Sequence, residues 1–512
     1  MAGELLERPL FSAPRAQAQA LALSLSLSLS LSLTLILTLT LTLTLILPLP
    51  LILPLILPLL LPLPLPLTPA GETSPIMKSA VAVLLALSAR LGVAVPTTQT
   101  PPTVVKRALS PLVSGTPPGF ASGTTGGGTA SPVYPSTIAQ LATYLTSSSP
   151  QVIVLSGTYD FAGSEGTVTK AACNAYACAP AQGGQALLDT LHGCASNLAL
   201  YNVNIDQAAF SPIWVKSDKT VIGRNGATIR GKGFRLSDVS NIIFQNIRVT
   251  ELNPAYVWGG DAFALTGASN VWIDHVTTSR LGRQHYSFGP GPSAGVTISH
   301  SFVDGYTPYS ATCDQRTYWG FELVGSGDSI TFIRNHVYML SGRGPALSGH
   351  TLWHAVNNVW VCLDPSPHVS PAMARGQRAS RFSAAHPSAP PSTAAPTRAR
   401  LTRCQSSSGG HLIEGTDDGM GVYEGNYFQN CPTIVGTPLP RVRLFTSMAA
   451  DAGQCASRLG RNCVPNLFVN SGAFSFNNLD ILGLLSGHSN LPAAQTGAWA
   501  RDNVVAHAGS VL

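Results

Sequence analysis

Ile242-Ile243-Phe244-Gln245-Asn246 is a short β-branched and aromatic run closed by a polar residue, and the chain keeps returning to that pattern. Val271-Trp272-Ile273-Asp274-His275, Val296-Thr297-Ile298-Ser299-His300, Thr331-Phe332-Ile333-Arg334-Asn335, Ala355-Val356-Asn357-Asn358 and Val422-Tyr423-Glu424-Gly425-Asn426 follow it in order. Such runs, ending at turn residues, read as strands. Their closing residues lie 29, 25, 35, 23 and 68 positions apart. Spacings in the twenties indicate a solenoid. With strands and no helical period between them, the expected fold is all-β: a single-stranded right-handed parallel β-helix. One coil cannot bury its apolar face alone, so stacking must supply the core. Asn side chains stacked at the turns are expected to hydrogen-bond to one another, which offsets the penalty of burying them.

The 68-residue interval stands apart from the others. It contains residues 361–405, rich in Pro, Ser, Ala and Arg and without strand alternation. Removing those 45 residues leaves 23, the preceding interval. Every Val codon begins GT and a Gln codon can be CAG, so Val361 and Gln405 suit the edges of a retained intron. A disordered surface loop is the alternative, since solenoids tolerate insertions in connections.

Residues 21–67 alternate Leu with Ser, Thr, Ile and then Pro. That alternation is not a helical period, and repeated Pro removes backbone donors that lipid cannot replace, so a membrane anchor is not expected. A translated CT repeat would give Leu-Ser in alternation, and segment 1–76 is read as foreign to the native protein. Met77 opens a more ordinary start, with Lys78, the apolar run Ala80–Leu87 and the small residue Ala94. This is the layout of a secretory signal peptide. Lys106-Arg107 suits a dibasic maturation site, so 77–107 reads as signal plus pro-segment and 108–512 as the secreted domain.

The formal net charge of +6 is misleading. Without segments 1–107 and 361–405, the body holds 18 basic and 20 acidic residues. A near-neutral body does not call for a nucleic-acid partner. The nine cysteines include no Cys-x-x-Cys pair that would suggest zinc, and export implies disulfides whose connectivity spacing cannot supply.

From Val257 the sequence becomes specific. Val257-Trp258-Gly259-Gly260-Asp261-Ala262, the run Val271–Tyr286, Tyr309–Asp314, Tyr318-Trp319-Gly320, Ser341-Gly342-Arg343-Gly344-Pro345 and Leu352–Asn358 follow one another as in fungal pectin lyases of the pectate lyase superfamily. The chain resembles that family from about Gly119 to Leu512, interrupted by the insert. The resemblance implies secretion, a monomer, methyl-esterified polygalacturonan (pectin) as substrate, and cleavage by β-elimination to 4,5-unsaturated fragments. It also implies the disulfides Cys173–Cys194, Cys178–Cys313 and Cys455–Cys463, leaving Cys431 free or paired outside the family pattern.

Elimination removes the C5 proton of a uronate unit and expels the C4 glycosidic oxygen. The intermediate is enolate-like, so positive charge must lie beside the carboxyl group. Calcium bound to acidic residues supplies it in pectate lyases. A methyl ester carries no charge and has a more acidic C5 proton, so no metal or other cofactor is expected. The resemblance makes Arg343 the catalytic arginine, for proton abstraction or for charge stabilisation. It places Arg283 where calcium-dependent relatives have an acidic metal ligand, and makes Asp261 a carboxylate that orients Arg283. Trp258, Trp319 and Tyr318 match aromatic positions lining the family cleft. His275 and His285 read as structural, and Trp272 and Trp360 as core. Two departures bear on affinity: Ala346 stands where the family commonly has Lys, and Tyr176 and Gly193 replace tryptophans. A calcium-dependent pectate lyase, a polygalacturonase and a non-catalytic pectin-binding β-helix are the competing readings.

The intron reading makes a direct prediction. The spliced message is expected to join codon 360 to codon 406, and cDNA still encoding Val361–Gln405 would refute it.

Overall fold

Strand runs joined by turns and loops can stack only if every coil repeats the same bends. The computed structural model describes residues 108–363 and 410–512, apart from residues 177 and 489. Segments 1–76 and 77–107, Cys404 and most of the insert lie outside the described residues. Three strand columns run the length of the molecule, all with parallel pairing, as the sequence predicts for a parallel β-helix.

Sheet 1 stacks Ser240–Gln245, Ser269–Asp274, Ala294–Ser299, Ser329–Ile333, Leu352–Val356, Met420–Glu424 and Arg443–Thr446. Sheet 2 stacks Arg248–Leu252, Thr277–Leu281, Phe302–Asp304, His336–Tyr338, Val359–Val361, Tyr427–Gln429 and Leu467–Val469. Sheet 3 stacks Ile213–Trp214, Phe234–Ser237, Phe263–Thr266, Tyr286–Phe288, Phe321–Leu323, Ala346–Leu347 and Glu414–Gly415. The long strands Gln151–Asp160 and Lys219–Arg230 pair with each other, and Lys219–Arg230 continues into both sheet 1 and sheet 2.

Alternate residues of a strand face opposite sides, and here both sides of sheet 1 are covered. Val271 and Ile273 join the central core, while Trp272 packs outside with Val113, Ala121 and Ile243. The outer cover is the N-terminal segment. The Phe120 and Ala121 N–H groups donate to Thr331 Oγ1 and Thr297 Oγ1, and Gly127 N–H donates to Thr220 Oγ1. Helix Ile138–Thr146, capped by Thr137, closes the N-terminal end with the buried Leu141 and Leu145. Helix Gly497–His507 lays Ala500 and Val504 on Val359 and Tyr427 of sheet 2. Sheet ends and faces that would invite foreign strands are thereby blunted. No helix among the described residues is long and apolar enough to cross a membrane.

Identical positions repeat up the stack. Phe263, Tyr286 and Phe321 stack with ring centroids 5.5 Å apart at each step. The expected Asn ladder is present: the Asn335, Asn358 and Asn426 side-chain amides donate to Oδ1 of Asn358, Asn426 and Asn466, respectively, at 3.0 Å. Its register differs by one residue from the sequence reading. Asn246, His275 and His300 align with Arg334, Asn357 and Gly425, all at positive φ, and the ladder is the next position along. The interval of 35 is therefore 34 in register. Asn suits both a left-handed turn and a buried ladder, so residue type alone could not separate the two columns.

Trp272 and Trp360 are buried as expected. Of the disulfides, Cys173–Cys194, Cys178–Cys313 and Cys455–Cys463 form as the resemblance implied. A fourth joins Cys362 to Cys431. Cys431 is therefore not free; it pairs outside the family pattern, with Cys362 of the insert. Val361 pairs within sheet 2 and Cys362 is bonded to the next coil, so the solenoid continues through Leu363.

One buried cluster fastens the disulfide loop Cys455–Cys463 to the stack. Glu424, fully buried, accepts from Arg461 Nη1 and Nη2 at 2.8 and 2.6 Å and lies 2.8 Å from His354 Nε2. Burial alone would push the Glu424 carboxyl up, but hydrogen bonds and charges from Arg461 and His354 outweigh it and hold it at about 2. A carboxyl held below its unfolded value of 4.5 stabilises the fold fully above that pH, and the contribution fades as pH falls toward 2. Glu424→Gln is expected to cost about 3 kcal/mol at neutral pH and to flatten the acid limb of stability against pH. Thermal melts of parent and variant from neutral to acid pH check this, and superimposable acid limbs would refute it.

Candidate active site

The connections from sheet 2 to sheet 3 converge on the outer face of sheet 3, and the register of that sheet sets one outward row: Trp214, Arg235, Ala264, Ser287, Glu322, Ala346 and Glu414. Glu322 points outward because Phe321 and Leu323 on either side are fully buried.

Arg283 and Arg343 meet at Glu322. Arg283 Nη2 lies 2.7 Å from both Glu322 carboxylate oxygens, and Arg343 Nη1 lies 2.8 Å from Oε1. Arg343 Nε reaches Glu414 Oε1 at 3.2 Å. Ala346 stands between Glu322 and Glu414 in the row, and its short side chain leaves room for Arg343 to bridge them. Glu414 Oε2 accepts the Tyr318 hydroxyl at 2.5 Å and lies 2.7 Å from His411 Nε2. Burial would push the Glu414 carboxyl up, but His411, Tyr318 and the charge of Arg343 bring it below its ordinary value. Asp261 lies 3.7 Å from Arg283 Nη1, and its Oδ1 accepts the Gln284 N–H at 2.8 Å. Burial pushes the Asp261 carboxyl up despite Arg283.

Both guanidinium groups also rest on indole rings. Arg283 lies 3.7 Å from the Trp258 ring centre and Arg343 5.0 Å from that of Trp319. Arg343 and Trp258 adopt φ of +44° and +72°, the left-handed region that side-chain-bearing residues seldom occupy outside constrained sites. Gly342 beside Arg343 has a steric reason: a Cβ there would come within 2.3 Å of the Tyr318 ring. Beyond Arg343 the site opens into a groove of about 370 Å³, whose lining includes Val324, His411 and Thr437.

Residues 93–286 match the family model described as pectate lyase. Over 408 residues the chain is 49% identical to a probable pectin lyase E of Aspergillus niger, which covers 79% of this chain and 97% of that one. Over 382 residues it is 43% identical to a probable pectin lyase C of Emericella nidulans, covering 73% and 88%. This chain belongs to the fungal pectin lyases. Among solved structures it is similar to a pectate lyase from Paenibacillus sp. 0602, with a TM-score of 0.44 and 16% identity over 77% of this chain and 95% of that one.

In this pectin lyase fold the residues singled out by sequence do gather, with different partners from those expected. Arg283 takes its shortest contacts from Glu322, and Asp261 is the more distant of its two carboxylate neighbours. Trp258 is partly open to solvent, 37% exposed. Trp319 is only 7% exposed, and its indole N–H donates to Gln185 Oε1 at 2.9 Å. It packs with Leu187 and the Cys173–Cys194 loop and supports Arg343 from beneath, so it is not an open face for a sugar. Tyr318 likewise spends its hydroxyl on Glu414. His285 is buried, its Nδ1 lies 2.7 Å from Thr278 Oγ1, and burial pushes its pKa down to about 3, so it stays neutral.

Sequence reasoning missed Glu322, Glu414 and His411. A signal for Glu322 existed, since Phe321-Glu322-Leu323 alternates apolar, charged and apolar residues beside the Tyr318-Trp319-Gly320 motif. Glu414 was hidden, because the insert separates it from the coil whose register it continues.

Glu322 is the shared anchor of both arginines. Glu322→Gln keeps the shape and removes the charge, and turnover is expected to fall roughly 10–100-fold, the scale of a lost charge-assisted contact. Steady-state rates beside a thermal melt check this; full activity in a folded variant would refute the anchoring role.

Proposed function

We propose that this enzyme cleaves methyl-esterified polygalacturonan by β-elimination without a divalent cation, as a secreted monomer. The observation carrying this reading is the pair of guanidinium groups joined at Glu322 on the rim of an open groove. Two fixed positive charges beside a bound uronate ester supply what the enolate-like transition state needs. In place of a metal bound by acidic ligands, Asp261, Glu322 and Glu414 are engaged with Arg283 and Arg343.

A guanidinium holds its proton too tightly to be a good base. Arg343 is also held in place by contacts to the Glu322 and Glu414 carboxylates. Its role is to stabilise the developing negative charge at the ester carbonyl while water or hydroxide takes the C5 proton. Arg283 adds charge and, stacked on Trp258, fixes the side of the cleft where the sugar lies. The electron pair from the C5–H bond forms the 4,5 double bond, and the C4 oxygen leaves with its chain. Export is supported by four disulfides, which need an oxidising compartment, and by the signal-like run from Met77.

Ultraviolet absorbance of the conjugated product tests the reading, with highly methylated pectin and excess chelator. The signal is expected to rise with the parent and to vanish with Arg343→Ala. Activity confined to demethylated substrate plus calcium would replace it with the calcium-dependent reading, and silence in both conditions with a pectin-binding β-helix.

A further inference from the structure

The turns from sheet 1 to sheet 2 form a different edge of the coil from the sheet 3 row that carries the reacting centre. Two successive turns there open on histidine. His275 and His300 follow Asp274 and Ser299, which pair across sheet 1. The two imidazoles therefore sit one rung apart, with ring centres 4.8 Å from each other and planes within 12° of parallel. Both reach the same carboxylate. His275 Nδ1 lies 2.7 Å from Asp274 Oδ2, and His300 Nδ1 lies 3.1 Å from Oδ1.

That carboxylate is held from the other side as well. Ser299 Oγ donates to Oδ1 at 2.6 Å and Gln245 Nε2 to Oδ2 at 2.9 Å. The Trp272 indole N–H donates to Ser299 Oγ, and the Gln245 amide bonds both ways with the backbone of Ser114. Asp274 is 2% exposed, and among the described residues its ion-pair partners are the two histidines. A buried carboxylate is favourable when it is paired or bound to a metal. The imidazoles are the open side of the cluster, with side chains 13% and 26% exposed. The flanking members of their column are engaged elsewhere. Asn246 bonds to Gly223 and Leu512, and the Arg334 guanidinium lies 5.1 Å from the Trp499 ring centre.

We propose that Asp274, His275 and His300 form a binding site for a divalent transition ion of the zinc class, which ties two adjacent coils together and takes no part in elimination. One nitrogen from each ring and one carboxylate oxygen lie within 4.8 Å of one another. Zinc holds such ligands at about 2.0–2.2 Å, so neighbouring ligands in a tetrahedral shell stand roughly 3.3 Å apart. The two Nδ1-to-oxygen distances are close to that spacing, and small ring rotations complete the fit. Without the ion, each Nδ1–H donates to the carboxylate, which can only accept. With it, the ion replaces those hydrogens and each neutral ring carries its proton on Nε2. Water fills the remaining coordination position. Ring nitrogens select zinc, copper or nickel over calcium, which prefers a shell of oxygens. Ser299 and Gln245 supply the outer hydrogen bonds that orient a ligating carboxylate.

The test uses the purified protein, stripped with chelator and dialysed, with zinc chloride as the probe. Calorimetric titration is expected to show one site per chain. Zinc is expected to raise the melting temperature, and calcium and magnesium at equal concentration to leave it unchanged. His275→Gln and His300→Gln each keep a hydrogen-bond donor for Asp274. Either is expected to weaken zinc binding at least about tenfold and to abolish the thermal shift. In the parent, zinc should shield both rings from acylation by diethyl pyrocarbonate, read by peptide mass spectrometry, a measurement that needs no variant. The elimination rate on pectin should be equal with and without zinc. Absence of zinc binding by the parent overturns the site. So does binding that is unchanged in both variants, or equal acylation of the rings with and without zinc. A rate that falls on metal removal overturns the separation from the reacting centre.

Discussion

Everything in this molecule depends on parallel coils stacking in strict register. A single coil has an apolar lining and no partner for it, and its backbone N–H and C=O groups along the strands are unpaired. Both deficits are met only by the neighbouring coils. Once register is fixed, each side chain meets its counterpart one rung away. That is why Phe263, Tyr286 and Phe321 stack as rings and why Asn335, Asn358, Asn426 and Asn466 can pass hydrogen bonds from one amide to the next. A slip by one residue would turn ring stacks outward and bury charge.

The same register builds the candidate active site. Glu322 and Glu414 lie 92 positions apart in the chain and two rungs apart in sheet 3. Arg343 reaches both because the coil between them places Ala346, and not a long side chain, in the intervening row. Charges then alternate across the cleft, from Asp261 to Arg283, Glu322, Arg343 and Glu414. Alternation keeps each group partnered in a half-buried setting where an isolated ion would be unfavourable. It also leaves the two arginines held in fixed positions by Trp258 and Trp319 and by carboxylates, the preorganisation that the proposed reaction requires.

The long insert interrupts a connection from sheet 2 to sheet 3, the class of connection that also carries Trp258, Arg283, Tyr318 and Arg343. The coils on either side nevertheless keep their pairing: Val359–Val361 meets Tyr427–Gln429, and Ala346–Leu347 meets Glu414–Gly415. Cys362–Cys431 adds a covalent tie across this junction. Connections emerge at the surface and do not take part in the ladder, so chain length there is only weakly constrained by the core.

Sequence by itself determined the architecture, because a β-branched run followed by a turn residue, recurring at 23 to 35 positions in all but the interval that holds the insert, has few ways to bury its apolar face other than stacking. It determined that Arg283 and Arg343 belong to one site, through motifs that carry a family resemblance. Only the tertiary structure decided what those arginines touch. The alternation around Glu322 marks an outward strand position but not its partners, and Glu414 carries no local signature at all; their contacts come from rungs that bring distant segments side by side. Exposure was likewise undecided in the sequence. Trp258 and Trp319 both adjoin glycine and a motif, yet one partly opens to the cleft and the other is buried under Arg343 by the Cys173–Cys194 loop. Local pattern sets which residues can form a strand, whereas the neighbour of an outward side chain is set by register, a property of coils in contact.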